Sequence, residues 1–201
     1  MAVIVSREDA PMKPDIWVVR HGQTAWSASG RHTSHTDVPL TAHGRAAAVA
    51  LAPRLAEPDF ALVLVSPAAR ALETARLAGF ADADVDGDLR ERDYGQLEGA
   101  TTAEIRARGP GWRDWSVWTG PVPDGETLAD VATRARRVVA RCDTAGGAAL
   151  LFGHGHQLRI LAAVAVDLDP AAGARLVLDP ATVSIIGHEH ELRAVRVWNH
   201  T

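Results

Sequence analysis

Two short apolar runs in this chain end the same way. Residues 16–19 (Ile-Trp-Val-Val) lead into Arg20-His21-Gly22, and residues 148–152 (Ala-Ala-Leu-Leu-Phe) lead into Gly153-His154-Gly155. A run that is apolar at every position, not every second one, reads as a strand covered on both faces, as in parallel α/β sheets. Ligands of open α/β sheets gather outside the carboxyl ends of the strands. Two such strands bring His21 and His154 to one edge, with Arg20 beside the first. The chain is thereby confined to an α/β class with a cationic, imidazole-bearing edge.

The remaining pattern alternates strands with helices. Residues 42–55 read as a helix capped by Thr41, and residues 61–65 as a second strand. Residues 67–77 read as a helix started by Ser66-Pro67, the favoured cap-then-proline order. Residues 101–108 and 126–141 read as helices separated by the Pro/Gly/Trp-rich connection 109–125, and residues 157–166 as a helix following strand 148–152. The Ser/Thr/His-rich stretch 25–37 reads as a loop, and residues 89–99 as a strand end and turn. Residues 182–186 and 192–198 read as an antiparallel pair joined across His188-Glu189-His190. This order gives an α/β sandwich with a mostly parallel sheet. At 201 residues one domain is expected, spanning 16–201 after an N-terminal tail over 1–15.

Composition removes several function classes. The chain has 25 acidic against 21 basic side chains, a net charge of −4, and its arginines are scattered. No basic stripe marks it for nucleic acid. The single cysteine, Cys142, rules out an intrachain disulfide or a cysteine metal cluster, and its Ala/Val/Arg-rich setting reads as a small buried residue. The apolar start of the chain is too short for a signal peptide or membrane span, so a cytoplasmic location and no membrane partner are expected.

Cleavage of a phosphate monoester needs an in-line nucleophile, positive charge around the phosphoryl oxygens, and an acid for the leaving oxygen. His21 supplies the first if a backbone carbonyl fixes its other ring nitrogen. Arg20 and Arg70 supply the second through forked hydrogen bonds, Arg70 lying one turn into the helix that follows the second strand. His154 adds a donor, favoured as imidazolium beside bound phosphate. For the acid, Glu91 in Leu89-Arg90-Glu91-Arg92-Asp93-Tyr94-Gly95 is the first choice and Asp93 the second. Protonated Glu91 would donate in one step, and its carboxylate would activate water in the next. The chain reads as a phosphoryl-transfer enzyme with a histidine nucleophile.

Arg20-His21-Gly22, Ser66-Pro67 with Arg70, Glu91 with Tyr94-Gly95, and His154-Gly155 follow one another as in branch 1 of the histidine phosphatase superfamily, the phosphoglycerate-mutase-like group. The chain resembles that group over roughly residues 16–160. The resemblance implies a three-layer α/β/α fold ending in an antiparallel hairpin, with His21 phosphorylated during turnover. It also implies that Arg20, Arg70 and His154 line the phosphate pocket, that the Gly155 amide adds a contact, and that Glu91 is the proton donor. No metal and no cofactor are implied. Residues 24–33, which put Ser27 and Thr33 among the expected substrate contacts, and residues 153–159 are similar to small actinobacterial acid and sugar-phosphate phosphatases. Mutases of the group carry Asn, Gly and Lys where this chain has Ser27, Ser34 and Thr102, together with a basic insertion absent here. The implied activity is therefore metal-independent hydrolysis of small phosphorylated metabolites. A cofactor-dependent phosphoglycerate mutase and a catalytically silent phosphoryl-binding module are the alternatives, and homo-oligomerisation is left open.

Other residues invite plainer readings. His32, His35 and His156 lie near the expected pocket and read as exposed polar histidines, His156 the least so. His188 and His190 form an H-x-H pattern that reads as a hairpin turn in preference to a metal site. Trp112, Trp115 and Trp118 recur every three residues and read as packing or as a lid over the pocket. Tyr94 reads as packing under its loop.

Overall fold

The computed structural model describes residues 13–201. Strands β1 (Ile16–Arg20) and β4 (Ala149–Gly153) show why the two runs are apolar throughout. Alternate side chains of a strand face opposite sides, and both sides of this sheet are covered. Ile16, Val18, Ala149 and Leu151 face one core with helices α5 (Leu128–Asp143) and α6 (Gly155–Ala165). Val19, Leu150 and Phe152 face the other, with α2 (Ala42–Val49) and α3 (Ala69–Leu77). The result is the expected three-layer α/β/α arrangement.

The six strands run in the order β3–β2–β4–β1–β5–β6, with β2 at Leu62–Val65, β3 at Asp84–Val85, β5 at Val183–Glu189 and β6 at Leu192–His200. The first four strands pair in parallel; β5 lies antiparallel to β1 and β6 antiparallel to β5. Register aligns Arg20 with Gly153 and Val65 with Phe152. The next residues, His21, His154 and Ser66, therefore leave the sheet at one edge.

Several boundaries differ from the sequence reading, each for a local reason. The helix expected over 42–55 stops at Val49 and resumes as a 3-10 turn, Ala52–Arg54. Pro53 has no N–H to give and its ring would strike the Val49 carbonyl. The helix expected from residue 67 starts at Ala69 without a side-chain cap of its own; Asp37 accepts the Ala69 N–H at 3.2 Å instead. The stretch 25–37 is not wholly loop. It contains α1 (Ala25–Ser29), held by a Thr24/Ser27 capping box and closed by Gly30 at φ 71°.

Residues 89–99 hold no strand; one 3-10 turn, Gly87–Leu89, leads into them and another, Gly95–Leu97, lies within them. The strand of this region is the exposed two-residue β3, which has no apolar pattern to betray it. Helix α4 (Thr102–Arg106) and α5 open on capping boxes at Thr101/Glu104 and Thr127/Asp130. Helix α6 begins at Gly155, two residues before its expected start, which makes His154 its N-cap.

Of the expected N-terminal tail, residues 1–12 lie outside the described residues. Residues 13–15 are tied to the domain. Lys13 pairs with Asp143 at 2.8 Å, the Pro14 carbonyl accepts from Arg193, and the Asp15 carbonyl accepts from Ala149. Cys142 is buried in α5, as expected, and burial pushes its thiol up to about 12. Among the described residues no helix is long and apolar enough to cross a membrane.

Candidate active site

The chain beyond β1 is pinned by a close backbone crossing. A Cβ on Gly22 would stand 2.5 Å from the Gly44 carbonyl oxygen, and one on Gly44 would stand 2.2 Å from that of Gln23. Only glycine at both positions lets the strand exit pass α2 at this distance. The Gly22 N–H donates to Thr74 Oγ1 at 2.9 Å. The Gly22 carbonyl, so fixed, accepts from His21 Nδ1 at 2.8 Å.

That bond assigns the tautomer. Burial first, then the charges of Arg20 and Arg70, hold His21 well below the ordinary histidine value, with the Gly22 carbonyl pulling weakly the other way. A neutral ring with its proton on Nδ1 carries its lone pair on Nε2. His154 lies edge-on to His21, ring centroids 5.1 Å apart, with Nε2 2.8 Å from Ser66 Oγ. Ser66, read from sequence as a helix cap, thus bonds to the second histidine. His154 is also driven well below the ordinary value, by burial and by His21, Arg70, Arg20 and Arg134.

Glu91 arrives from the loop after the first 3-10 turn and meets the N-terminus of α6. Its Oε1 accepts from the backbone N–H of Arg92 and Gln157 at 2.9 Å each, and its Oε2 from that of His156 at 3.0 Å. A carboxylate there satisfies helix donors that have no partner within the helix. Buried Arg134 braces the same loop. It pairs with the Glu126 carboxylate and donates to the carbonyls of Asp88, Arg90 and Glu91. Sequence reasoning missed Arg134, because nothing local marks a helix arginine as the anchor of a distant loop.

Arg20, His21, Ser27, Thr33, Glu91 and Gly155 line a cleft of about 140 Å³ at this edge. The Ser27 hydroxyl is engaged with Thr24, and that of Thr33 with the Arg31 carbonyl. His154 and Arg70 are fully buried beside it. Arg70 donates to the carbonyls of Thr33, Ser34 and Thr36, bracing the loop that carries Thr33. Arg20 Nε, Arg70 Nε and His154 Nδ1 are buried without a partner among the described residues. Native structures rarely leave such groups unsatisfied, and three together suit an anion with several oxygens.

The cleft also contains residues given plainer readings. His32 and His156 are not exposed; both line it, and burial lowers His32 to about 4, with Arg92 adding to the effect. His35 does stand in solvent, 3.0 Å from Asp93. Asp93, the second choice for the acid, is committed to His35 and the Gly95 N–H and is not part of the cleft wall. Arg159 lines the cleft four residues after Gly155, on the same face of α6. It donates to the Gly173 and Ala174 carbonyls and lies over Trp118 at 4.6 Å.

Trp115 packs, buried with Tyr94, Leu97 and Ile105, its Nε1 bonded to the Pro121 carbonyl. His190 occupies the hairpin turn at φ 52°. Among the described residues no three His, Cys, Asp or Glu side chains come together as a metal site.

Comparison with known proteins agrees with this geometry. The family model of the histidine phosphatase superfamily (branch 1) matches residues 16–201, extending through the terminal hairpin. An acid phosphatase of Mycobacterium tuberculosis is 41% identical over 188 residues, 92% of this chain and 91% of that protein. The solved structure of the Mycobacterium tuberculosis open reading frame Rv3214 superposes with a TM-score of 0.87 at 39% identity, covering 94% of this chain and 98% of that one. A probable phosphoglycerate mutase, GpmB, of Enterobacter is 32% identical over 191 residues, 91% of this chain and 89% of that protein.

Proposed function

This chain belongs to branch 1 of the histidine phosphatase superfamily, and from that premise we propose that it hydrolyses phosphomonoesters of small metabolites, without a metal, through a phosphohistidine on His21. That it is a phosphatase follows from the family and from its acid phosphatase relative; the route and substrate class are our reading. The observation that carries it is the Nδ1–H···O=C bond to Gly22, which leaves His21 Nε2 with a lone pair beside Arg20.

In the first half-reaction Nε2 attacks phosphorus, the P–Nε2 bond forms, and the ester P–O bond breaks. The electron pair departs on the ester oxygen, which takes a proton from Glu91. The guanidinium groups of Arg20 and Arg70 and the Gly155 N–H offset charge on the phosphoryl oxygens. His154, neutral while the site is empty, gains a proton more readily beside a dianion, because two negative charges reverse its electrostatic surroundings. In the second half-reaction the Glu91 carboxylate takes a proton from water, water oxygen bonds to phosphorus, and the P–Nε2 bond breaks. Inorganic phosphate and neutral His21 are regenerated.

The test is phosphate release and product identity in EDTA, across p-nitrophenyl phosphate, sugar phosphates, nucleotides and 3-phosphoglycerate, with acid-labile phosphoenzyme trapped in parallel. Hydrolysis with a phosphoenzyme that disappears in His21→Ala is the expected result. Isomerised phosphoglycerate would establish a mutase instead. Phosphate binding with no turnover would establish a binding module.

A further inference from the structure

Tyr94 is buried, and its phenol has one partner among the described residues, His156 Nδ1 at 2.6 Å. A buried O–H without an acceptor is costly, so the phenol donates and Nδ1 accepts. Burial keeps the phenol protonated. Burial, Arg159 and His32 keep His156 neutral near pH 7. With Nδ1 accepting, the one proton of the neutral ring sits on Nε2.

The ring is held in place around that proton. Tyr94 and Trp118 lie edge-on at 5.9 and 5.2 Å, and His32 lies tilted at 6.0 Å. His156 lines the cleft, and Nε2 has no partner among the described residues. Its backbone N–H holds Glu91 Oε2, and Nδ1 is 3.9 Å from that same oxygen. The histidine ring and the proposed acid are therefore neighbours at the first turn of α6, the acid reaching it from its loop.

We propose that His156 Nε2–H is a specificity-determining donor that reads a hydroxyl on the alcohol half of the substrate, next to the ester oxygen, so that the preferred substrates are phosphate esters of polyols or sugars. The inference rests on Glu91 delivering its proton to the leaving oxygen. A substituent on the carbon adjacent to that oxygen then falls within reach of the ring. The donor is neutral, so it suits a hydroxyl oxygen; Arg159, a cation on the same helix that also lines the cleft, is engaged by two backbone carbonyls and Trp118. A site built to hydrogen-bond a hydroxyl discriminates against the analogue lacking it.

Glycerol 2-phosphate and isopropyl phosphate share a branched carbon and differ only by two hydroxyls, which makes them the test pair. The quantity measured is the ratio of their kcat/KM values, with p-nitrophenyl phosphate turnover and phosphoenzyme trapping as references. Wild type should favour the glycerol ester by about ten- to hundredfold, the range for one well-placed hydrogen bond. His156→Phe should bring the ratio near unity. His156→Gln, which retains an N–H donor, should keep part of it, and Tyr94→Phe, which frees the tautomer, should lower it several-fold. A wild-type ratio near unity overturns the proposal, as does a ratio unchanged in His156→Phe or an equal loss on both esters, which would mean a phosphoryl contact. Failure of the underlying phosphatase reading is distinguishable: no ester, p-nitrophenyl phosphate included, would turn over, and no phosphoenzyme would form.

Discussion

Replacing Arg134 by lysine tests how the proposed acid, Glu91, is positioned. Arg134 is 6% exposed and makes five hydrogen bonds, two to Glu126 and one each to the carbonyls of Asp88, Arg90 and Glu91. A lysine keeps the charge but presents three donors from a single atom, and cannot span a carboxylate and three carbonyls together. Glu126 is partly exposed and recovers water, so the loss falls on the carbonyls. Two of them left without a partner cost about 2–4 kcal/mol, at ~1–3 kcal/mol per buried unsatisfied group with partial relaxation. For a chain of this size that is a fall of roughly 5–15 °C in Tm. Activity gives the second readout. A slack Glu91 carbonyl lets the acid drift, so kcat on an alkyl phosphate should fall further than on p-nitrophenyl phosphate, whose leaving group scarcely needs a proton. Differential scanning fluorimetry and paired steady-state assays measure both. A Tm within about 2 °C of wild type, by the same scale, with unchanged leaving-group dependence, would refute the bracing role.

Three further outcomes are expected. Glu91→Gln should slow glycerol phosphate more than p-nitrophenyl phosphate, and an equal loss on both, seen by phosphate release, would remove the general-acid role. Gly44→Ala places a methyl group 2.2 Å from the Gln23 carbonyl oxygen and should cost about 1–3 kcal/mol or more as an overpacked backbone crossing; a thermal melt indistinguishable from wild type contradicts the crossing. His21, His154 and His156 all have folded values below the unfolded 6.5. As pH falls below about 6.5 the unfolded chain binds protons that the native one does not, so each costs up to about 1.4 kcal/mol of stability per pH unit. Tm should decline between pH 6.5 and 5, less so with inorganic phosphate present to favour charged His154; a flat profile over that range would show that the buried histidines titrate normally.

The edge bearing His21 and His154 was legible because apolar runs report burial on both faces, and burial on both faces fixes the kind of sheet and its ligand-binding end. Caps and breakers were legible in principle: Thr24-x-x-Ser27 followed by Gly30 spells out α1, and Pro53 spells out the break in α2. What periodicity does not encode is which distant segments meet. Glu91 was singled out from its motif as the proposed acid, but its three backbone donors come partly from residues 156 and 157. Arg134 and Arg159 look like surface helix arginines until the loops they brace are in place. His32 and His156 read as exposed because polarity was taken for exposure, whereas the aromatic and carboxylate groups that enclose them arrive from the 91–98 and 112–118 segments.

The start of α6 shows why these residues cannot be assigned one at a time. An N-cap side chain ordinarily satisfies the first turn of its helix, but the His154 side chain does not cap; its ring is directed to Ser66. The N–H groups of His156 and Gln157 therefore need an outside acceptor, and Glu91 supplies it. Among the described residues, Gly155 is left as the first-turn donor available to a ligand. The contact that caps the helix is thus the contact that holds the carboxylate over the cleft, so fold and chemistry share one hydrogen-bond set. A change at Glu91 consequently carries a stability component, about 0.5–2 kcal/mol for a lost cap, in addition to its effect on the proposed acid. Glutamine keeps one acceptor oxygen, enough for the Arg92 and Gln157 N–H groups, but sets its NH2 against the His156 N–H. Glu91→Gln therefore retains part of the cap while losing the proposed acid, where Glu91→Ala would lose all of it.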